Sequence, residues 1–380
     1  MTLVLGAGVS ASRGLPVWPE LLRRTWQAVL EEDPHAADSA SLERARRACE
    51  REGLPASFIE RLDIRRHPLE LQLAFERIYD GLRWSLDDDA LLKRLGLGRF
   101  RPPALATSEQ RTAALFAAIL RKVLYKSEPR QPARRSMSSD TLDLVARAVK
   151  KNAMLPENER RIADVITFNV DDLLERQINA GCRRRIPWAV PIARASALRP
   201  IPSPRSIPIY HLHGFIPKDA SAYPLYQEDG FITDAPPAPE SLVFTDEQYW
   251  RTVGNPTGFA SRVFQSALRG RCVFVGLSMT DINILRWLAN DAIERADDFR
   301  RLSTEWSGTE TEFTIGEELR RHYWITTDSA ADSTEPAGEV APDLLTITLN
   351  RRGVRGIRIP SWSAKEFQDW WRRCFEPPVD

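Results

Sequence analysis

Residues 3–16 read Leu-Val-Leu-Gly-Ala-Gly-Val-Ser-Ala-Ser-Arg-Gly-Leu-Pro, a short apolar run that breaks into a glycine turn and then a helix start. Gly6-Ala7-Gly8-Val9-Ser10-Ala11 satisfies the G-x-G-x-x-G/A spacing. In that pattern the first glycine makes a tight turn and the second lets backbone approach a pyrophosphate. Helix N–H groups beyond such a turn supply partial positive charge for the anion. Alone the signal is weak, because small-residue turns after buried strands are common.

Three further strand ends strengthen it: Asp164–Asp171 (DVITFNVD), Ile207–Gly214 (IPIYHLHG) and Arg271–Asp281 (RCVFVGLSMTD). Each is a β-branched and aromatic run that finishes in a polar cluster, as a buried strand of a parallel sheet does. Ligands of open α/β sheets sit outside the carboxyl ends of the strands. If these four strands lie side by side, Gly6–Ser10, Asn169, Asp171, His213, Gly276 and Ser278 converge on one crevice. The fold class expected is therefore α/β, a Rossmann-like parallel sheet flanked by helices, with a mostly helical inserted second domain.

At these residues the chain resembles the sirtuin (silent information regulator) fold, in its bacterial sirtuin-like branch. Gly6-Ala7-Gly8-Val9-Ser10 and Gly14-Leu15-Pro16 resemble the family's GAGxS…GIP element, and Thr167-Phe168-Asn169-Val170-Asp171 its T-x-N-x-D element. His213-Gly214 resembles the catalytic H-G, and Gly276-Leu277-Ser278 the G-x-S near the adenosine ribose. The elements follow in the family's order. The resemblance covers residues 1–35 and about 160–290, and it does not cover the region between.

Composition fits such an enzyme. A chain of 380 residues, 43% hydrophobic, can bury one large core or two smaller ones. The net charge of +1 gives no electrostatic case for a nucleic-acid or membrane surface. Seven lysines leave 46 of the 53 basic residues as arginine, a bias that a GC-rich genome explains better than phosphate recognition. No apolar run approaches the roughly 18 residues of a membrane span, and no basic-then-apolar leader opens the chain. A cytoplasmic location is expected. The first strand begins almost at Met1, which predicts a few native residues ahead of this numbering.

Cys49, Cys182, Cys272 and Cys374 form no C-x-x-C pair, so no metal site is expected. Protein-deacetylating sirtuins usually carry a zinc ribbon, and this departure puts deacetylation in doubt.

Three parts are expected. An amphipathic helix over Pro19–Glu32 follows the glycine turn. Residues 36–159 read as a helical insertion domain, with helical spacing at 42–51, 69–84, 88–95, 109–126 and 140–151 and a Pro/Arg/Ser-rich loop at Ser127–Ser139. Residues 1–35 and 160–380 form the Rossmann-like domain. It has a helix Asp172–Ala180 ended by Gly181, a Pro-rich loop at Tyr223–Ser241 and a capping box at Thr245–Gln248. Asp281 caps a helix whose buried face reads Ile282, Leu285, Leu288, Ala289, Ala292 and Ile293. Strands at Tyr323–Thr327 and Leu344–Leu349 follow, and then a helix opened by Ser363 with Phe367, Trp370, Trp371 and Phe375.

The resemblance implies NAD⁺ as substrate, with His213, Asn169 and Asp171 catalytic. It implies cofactor contacts at Gly6, Ala7, Gly8, Ser10, Gly14, Leu15, Pro16, Trp18, Thr167, Gly276, Ser278 and Asp281. His213 suits general-base work. Asn169 can donate and accept at once, so it can position water or the ribose diol, or it can cap the following helix. His211, two residues before His213 and on its strand face, reads as a packed or hydrogen-bonded histidine. Trp18 stands where deacetylating sirtuins carry an Asp-Phe-Arg segment; it lines the nicotinamide side or simply packs. The resemblance points to NAD⁺ hydrolysis to nicotinamide and ADP-ribose by an anti-phage effector. Such an effector is expected to be a homo-oligomer gated by a separate partner, with a hexameric HerA-type DNA-translocase ATPase leading. A protein deacylase or ADP-ribosyltransferase, and a non-catalytic NAD or ADP-ribose binding module, remain as alternatives.

Overall fold

A computed structural model describes residues 1–30, 74–76, 78–80, 82, 93, 108–126, 141–182, 187–193, 205–219, 222–223, 242–252, 255–279, 281–307, 321–327, 344–359, 361–362 and 364–376. The expected helix at 42–51, the loops at 127–139 and 224–241, Cys49 and Ser363 lie outside them.

The chain opens with β1 (Thr2–Leu5), α1 (Ala7–Ala11) and α2 (Trp18–Leu30). After it come α3 (Ser108–Tyr125), α4 (Thr141–Met154), β2 (Asp164–Thr167), α5 (Leu173–Asn179), β3 (Ala189–Ile192) and β4 (Ile207–His211). Next are α6 (Asp246–Thr252), α7 (Phe259–Leu268), β5 (Cys272–Val275) and α8 (Ile282–Ser307). The described chain closes with β6 (His322–Thr327), α9 (Leu344–Arg351), β7 (Val354–Ile359) and α10 (Lys365–Phe375).

All seven strands among the described residues are parallel, in the order β3-β4-β2-β1-β5-β6-β7. The four strands singled out by sequence are thus neighbours, β4-β2-β1-β5. Their ends are level: His211 pairs with Thr167, Thr167 with Leu5, and Leu5 with Val275. Connections leaving β1 run toward β2 and those leaving β5 run toward β6. The topological switch point therefore lies between β1 and β5, beside the glycine turn.

Strand alternation sorts the core into two layers. Leu3, Leu5, Val165, Ile209 and Val275 face α4, α5 and α10, where Trp371 is fully buried. Val4, Ile166 and Phe274 face α7 and α8 through Phe264, Trp287 and Leu288. A third cluster lies beyond the strand ends: Leu22 of α2, Phe75, Ile78 and Leu82, and Phe116 and Leu120 of α3 meet Val170, Ile216 and Phe244. Fully burying side chains of this size is worth roughly 1.5–3 kcal/mol each, so this cluster holds α2 and α3 firmly above the crevice.

Several local readings hold. Gly181 follows α5 with φ 72°. The capping box at α6 is reciprocal, Gln248 N–H donating to Thr245 Oγ1 at 3.2 Å and Thr245 N–H to Gln248 Oε1 at 3.2 Å. Asp281 Oδ1 accepts from the Asn283 N–H at 2.8 Å and caps α8.

Two readings are corrected. Leu344–Leu349 is not a strand but the body of α9, and the strand is Val354–Ile359. Two parallel neighbours need a crossover, and α9 supplies it between β6 and β7. Its β-branched residues lie on a mostly solvated helix, with Leu344 exposed and Leu349 buried. Gly353 at φ 76° then turns the chain into β7. On α8, Ile282 and Ile293 are exposed, and the buried face is Asn283, Ile284, Trp287 and Leu288. The expected periodicity was about a third of a turn out of register with the packing against Phe264.

Candidate functional site

Gly6 and Gly8 are required by a close backbone approach. A Cβ on Gly6 would stand 2.5 Å from the Gly276 carbonyl oxygen, and one on Gly8 3.0 Å from the Gly276 Cα. Gly276 sits at φ 66°, and its own Cβ would meet Val9 N at 2.8 Å. The glycine turn of β1 is therefore locked onto the β5 loop, with Gly8 N–H donating to the Gly276 carbonyl at 3.0 Å. Helix α1 has only five residues, and the Gly8 and Val9 N–H groups are donated to Gly276 and Gly6. The dipole argument for anion binding at this helix loses most of its force.

An open-mouthed cleft lies beside this turn, bounded by Ala7, Ser10, Pro16, Trp18, Asn169 and Asp171. Leu21, Val170 and Leu124 complete its wall, so α3 contributes to it as well. Leu15 is buried in the core layer of α4 and α5, and Gly14 adopts φ 81° where the chain turns from α1 toward it.

Asn169 does not cap α5; the Leu173 N–H is taken by Asp171 Oδ1 at 3.1 Å. Instead its carboxamide reaches back to β1. Nδ2 donates to the Gly6 carbonyl at 3.0 Å and to Ser10 Oγ at 3.1 Å. Ser10 Oγ in turn donates to Asp171 Oδ1 at 3.1 Å. The Asn169 backbone N–H donates to Thr167 Oγ1 at 3.0 Å, which gives Thr167 a turn-forming role. Both amide protons are committed, so the atom left over is Oδ1, buried and unpartnered. Asn169 Oδ1 can therefore accept a hydrogen bond from a hydroxyl or water, and the side chain has no N–H left to donate as well.

His213 lies two residues beyond the end of β4, in a turn shaped by Gly214 at φ 92°. Both ring nitrogens are buried without a hydrogen-bond partner. Three aromatic rings enclose it, with centroids at 5.1 Å (Phe168), 5.6 Å (Trp18) and 6.1 Å (Tyr249). Burial pushes its pKa down to about 4, with the Asp281 carboxylate opposing. The imidazole is neutral at physiological pH and able to accept a proton. Buried polar atoms in native folds are nearly always satisfied, and the orphaned atoms at these two adjacent strand ends are free to bond a polar ligand or water.

Asp171 is buried at the cleft wall, and burial pushes its carboxyl up to about 6 against its bonds from Leu173 and Ser10, with Glu175 and Asp172 nearby. Asp281 accepts from the Tyr249 hydroxyl, which ties α6 and the start of α8 to the His213 surroundings. Ser278 is exposed on the loop after β5 and does not line the cleft.

His211 and His213 do not share a face, because the strand ends at His211. His211 packs on Phe215 (4.6 Å) and bonds to Asn169 and Glu175. Sequence reasoning also missed Tyr125 at the end of α3, whose hydroxyl accepts from the Asp172 N–H at 3.0 Å and lies 2.8 Å from Asp172 Oδ1 and the Ile216 carbonyl. No local pattern marks a contact between residues 47 positions apart. Among the described residues no group of three or more His, Cys, Asp or Glu side chains is placed to hold a metal, and no helix is long and apolar enough to cross a membrane.

No individual curated protein matches the chain. Residues 163–338 match the family model of the SIR2-like domain, which takes in Asn169, Asp171, His213 and the β5 loop and leaves out the glycine turn of β1. Over that span the chain is similar to the sirtuin-like proteins, whose domain uses NAD⁺.

Proposed function

We infer that the chain is an NAD⁺ glycohydrolase, cleaving NAD⁺ to nicotinamide and ADP-ribose. The observation that carries this reading is the pair of buried, unpartnered groups at the adjacent ends of β2 and β4, Asn169 Oδ1 and the His213 ring. In the reaction the bond from the ribose anomeric carbon to the nicotinamide ring nitrogen breaks, and its electron pair leaves with neutral nicotinamide. A water oxygen bonds to the anomeric carbon, and its proton passes to His213 and on to solvent. The transition state is oxocarbenium-like, as in other glycosidic cleavages. Asn169 Oδ1 orients the water or a ribose hydroxyl, Ser10 and Asp171 hold that carboxamide, and neutral His213 takes the proton.

The ring of Trp18, Phe168 and Tyr249 around His213 favours water over a bulky protein acceptor, which supports hydrolysis rather than deacylation or ADP-ribosyl transfer. The resemblance noted above extends the reading to an NAD⁺-depleting anti-phage effector, homo-oligomeric and gated by a HerA-type ATPase. Helix α3, which lines the cleft through Leu124, offers a route for such gating.

The test is product analysis with NAD⁺, with and without an acetylated peptide, in the presence and absence of the protein encoded by the neighbouring reading frame. Nicotinamide and ADP-ribose in equal amounts, independent of peptide, are expected. An acetyl-ADP-ribose product formed only with peptide would establish the deacylase alternative instead.

A further inference from the structure

His211 and Glu175 are both fully buried, yet they form an ion pair with Nε2 2.6 Å from Glu175 Oε1. The other ring nitrogen, Nδ1, lies 2.9 Å from the Asn169 backbone carbonyl. A carbonyl only accepts, so Nδ1 carries a hydrogen, and the second proton is shared between Nε2 and the Glu175 carboxylate. Burial works against the imidazolium, but Glu175 and the Asn169 carbonyl outweigh it, and the His211 pKa is raised. The remaining Glu175 oxygen is buried without a partner. Buried ion pairs contribute little net stability, and an incompletely bonded one contributes less. This pair is poorly explained as a stabilising element.

Its geometry explains it better. Asn169 is held at its N–H by Thr167, at its side-chain nitrogen by Gly6 and Ser10, and at its carbonyl by His211. Of these anchors, His211 is the one on β4, the strand that leads into His213. It links the segments that follow β2 and β4 between two backbone bonds, Leu212 N–H to the Thr167 carbonyl at 3.0 Å and Ile216 N–H to the Val170 carbonyl at 2.6 Å. Resting on the hydrolase reading above, we propose that His211, braced by Glu175, is a positioning residue that holds the Asn169 carboxamide in register with the His213 ring.

The two halves of the imidazole are separable, because asparagine places a donor near the Nδ1 position and glutamine places one near Nε2. Both are made in a Glu175→Gln background, so that no carboxylate is left buried alone. In Glu175→Gln itself the carboxamide donates to Nε2 of a neutral His211, and Nδ1–H stays on Asn169. Glu175→Gln and Glu175→Gln/His211→Asn are expected to cleave NAD⁺ with kcat within about threefold of each other. Glu175→Gln/His211→Gln is expected to lose about 10–100-fold in kcat with KM within about threefold, the scale of a misplaced catalytic group. The second readout is independent of turnover: side-chain amide signals of ¹⁵N-labelled asparagine. The Asn169 pair should move only in the glutamine variant, while buried Asn152, bonded to the Ala148 and Phe375 carbonyls, stays put. Equal behaviour of the asparagine and glutamine variants in both readouts would overturn the proposal. If no protein, wild type included, releases nicotinamide with or without the neighbouring gene's product, the hydrolase reading fails, and the Asn169 signals still decide the positioning role.

Discussion

Replacing Asp171 by asparagine should stabilise the protein at alkaline pH and do so less as the pH falls. Asp171 is 7% exposed, and burial lifts its carboxyl from an ordinary 3.8 to about 6. A carboxyl that ionises near 6 when folded and near 3.8 when unfolded binds its proton more tightly in the native state. Its contribution to stability is fully present below about pH 3.8 and is lost as pH rises through about 6. Full ionisation then costs roughly 3 kcal/mol, of which about 1.4 kcal/mol falls between pH 5 and pH 8. The introduced carboxamide would keep an acceptor for Leu173 N–H and Ser10 Oγ–H without the charge. Urea unfolding followed by tryptophan fluorescence, run on both proteins at pH 5 and pH 8, gives the difference directly. His213 works in the opposite sense, since its folded pKa is depressed and its contribution is lost as pH falls from about 6.5 to about 4. That effect is common to both proteins and cancels in the comparison. The advantage of Asp171→Asn should shrink by about 1–2 kcal/mol from pH 8 to pH 5. A difference that is independent of pH, or that grows toward pH 5, would refute the reasoning.

Other outcomes follow from the same geometry. Gly6→Ala should destabilise by about 1–3 kcal/mol, because the Cβ meets the Gly276 carbonyl and no flexible side chain alone can relieve it; a wild-type urea midpoint would contradict this. Ring signals of His213, assigned by NMR through a His213→Gln control, should not titrate between pH 5.5 and 8; a midpoint near 6.5 would mean that the ring is solvated. Tyr125→Phe should cost about 1–3 kcal/mol, since Asp172 N–H loses its acceptor in a buried setting; thermal and urea unfolding measure it, and an unchanged midpoint would argue against the link between α3 and the Asn169 loop.

The sheet was legible because a parallel sheet buried on both faces writes each strand as a short apolar run. Leu3–Leu5, Val165–Thr167, Ile207–His211 and Cys272–Val275 carry that signature, and they prove to be adjacent and level. Ala189–Ile192 was missed: it is four residues long, contains Pro191 and sits at the sheet edge, where proline is tolerated. Leu344–Leu349 misled because threonine and isoleucine favour strands, whereas the crossover geometry demanded a helix. For Asn169 the residue type left capping open, and only the Asp171 bond to the Leu173 N–H excludes it. His211 and Glu175, 36 positions apart, have no signature in sequence, because a buried ion pair is defined by its partner.

The central claim is that Asn169 and His213 together break the nicotinamide–ribose bond. Its most direct test is nicotinamide release from NAD⁺, quantified chromatographically for wild type, His213→Ala and Asn169→Ala, each shown to be folded and each assayed with and without the neighbouring gene's product. Wild type should release nicotinamide and ADP-ribose in equal amounts, and each variant should fall by roughly 10²–10⁴-fold or more, the worth of a general base or its partner. Near-wild-type release by either folded variant, or none from wild type under both conditions, would contradict the account.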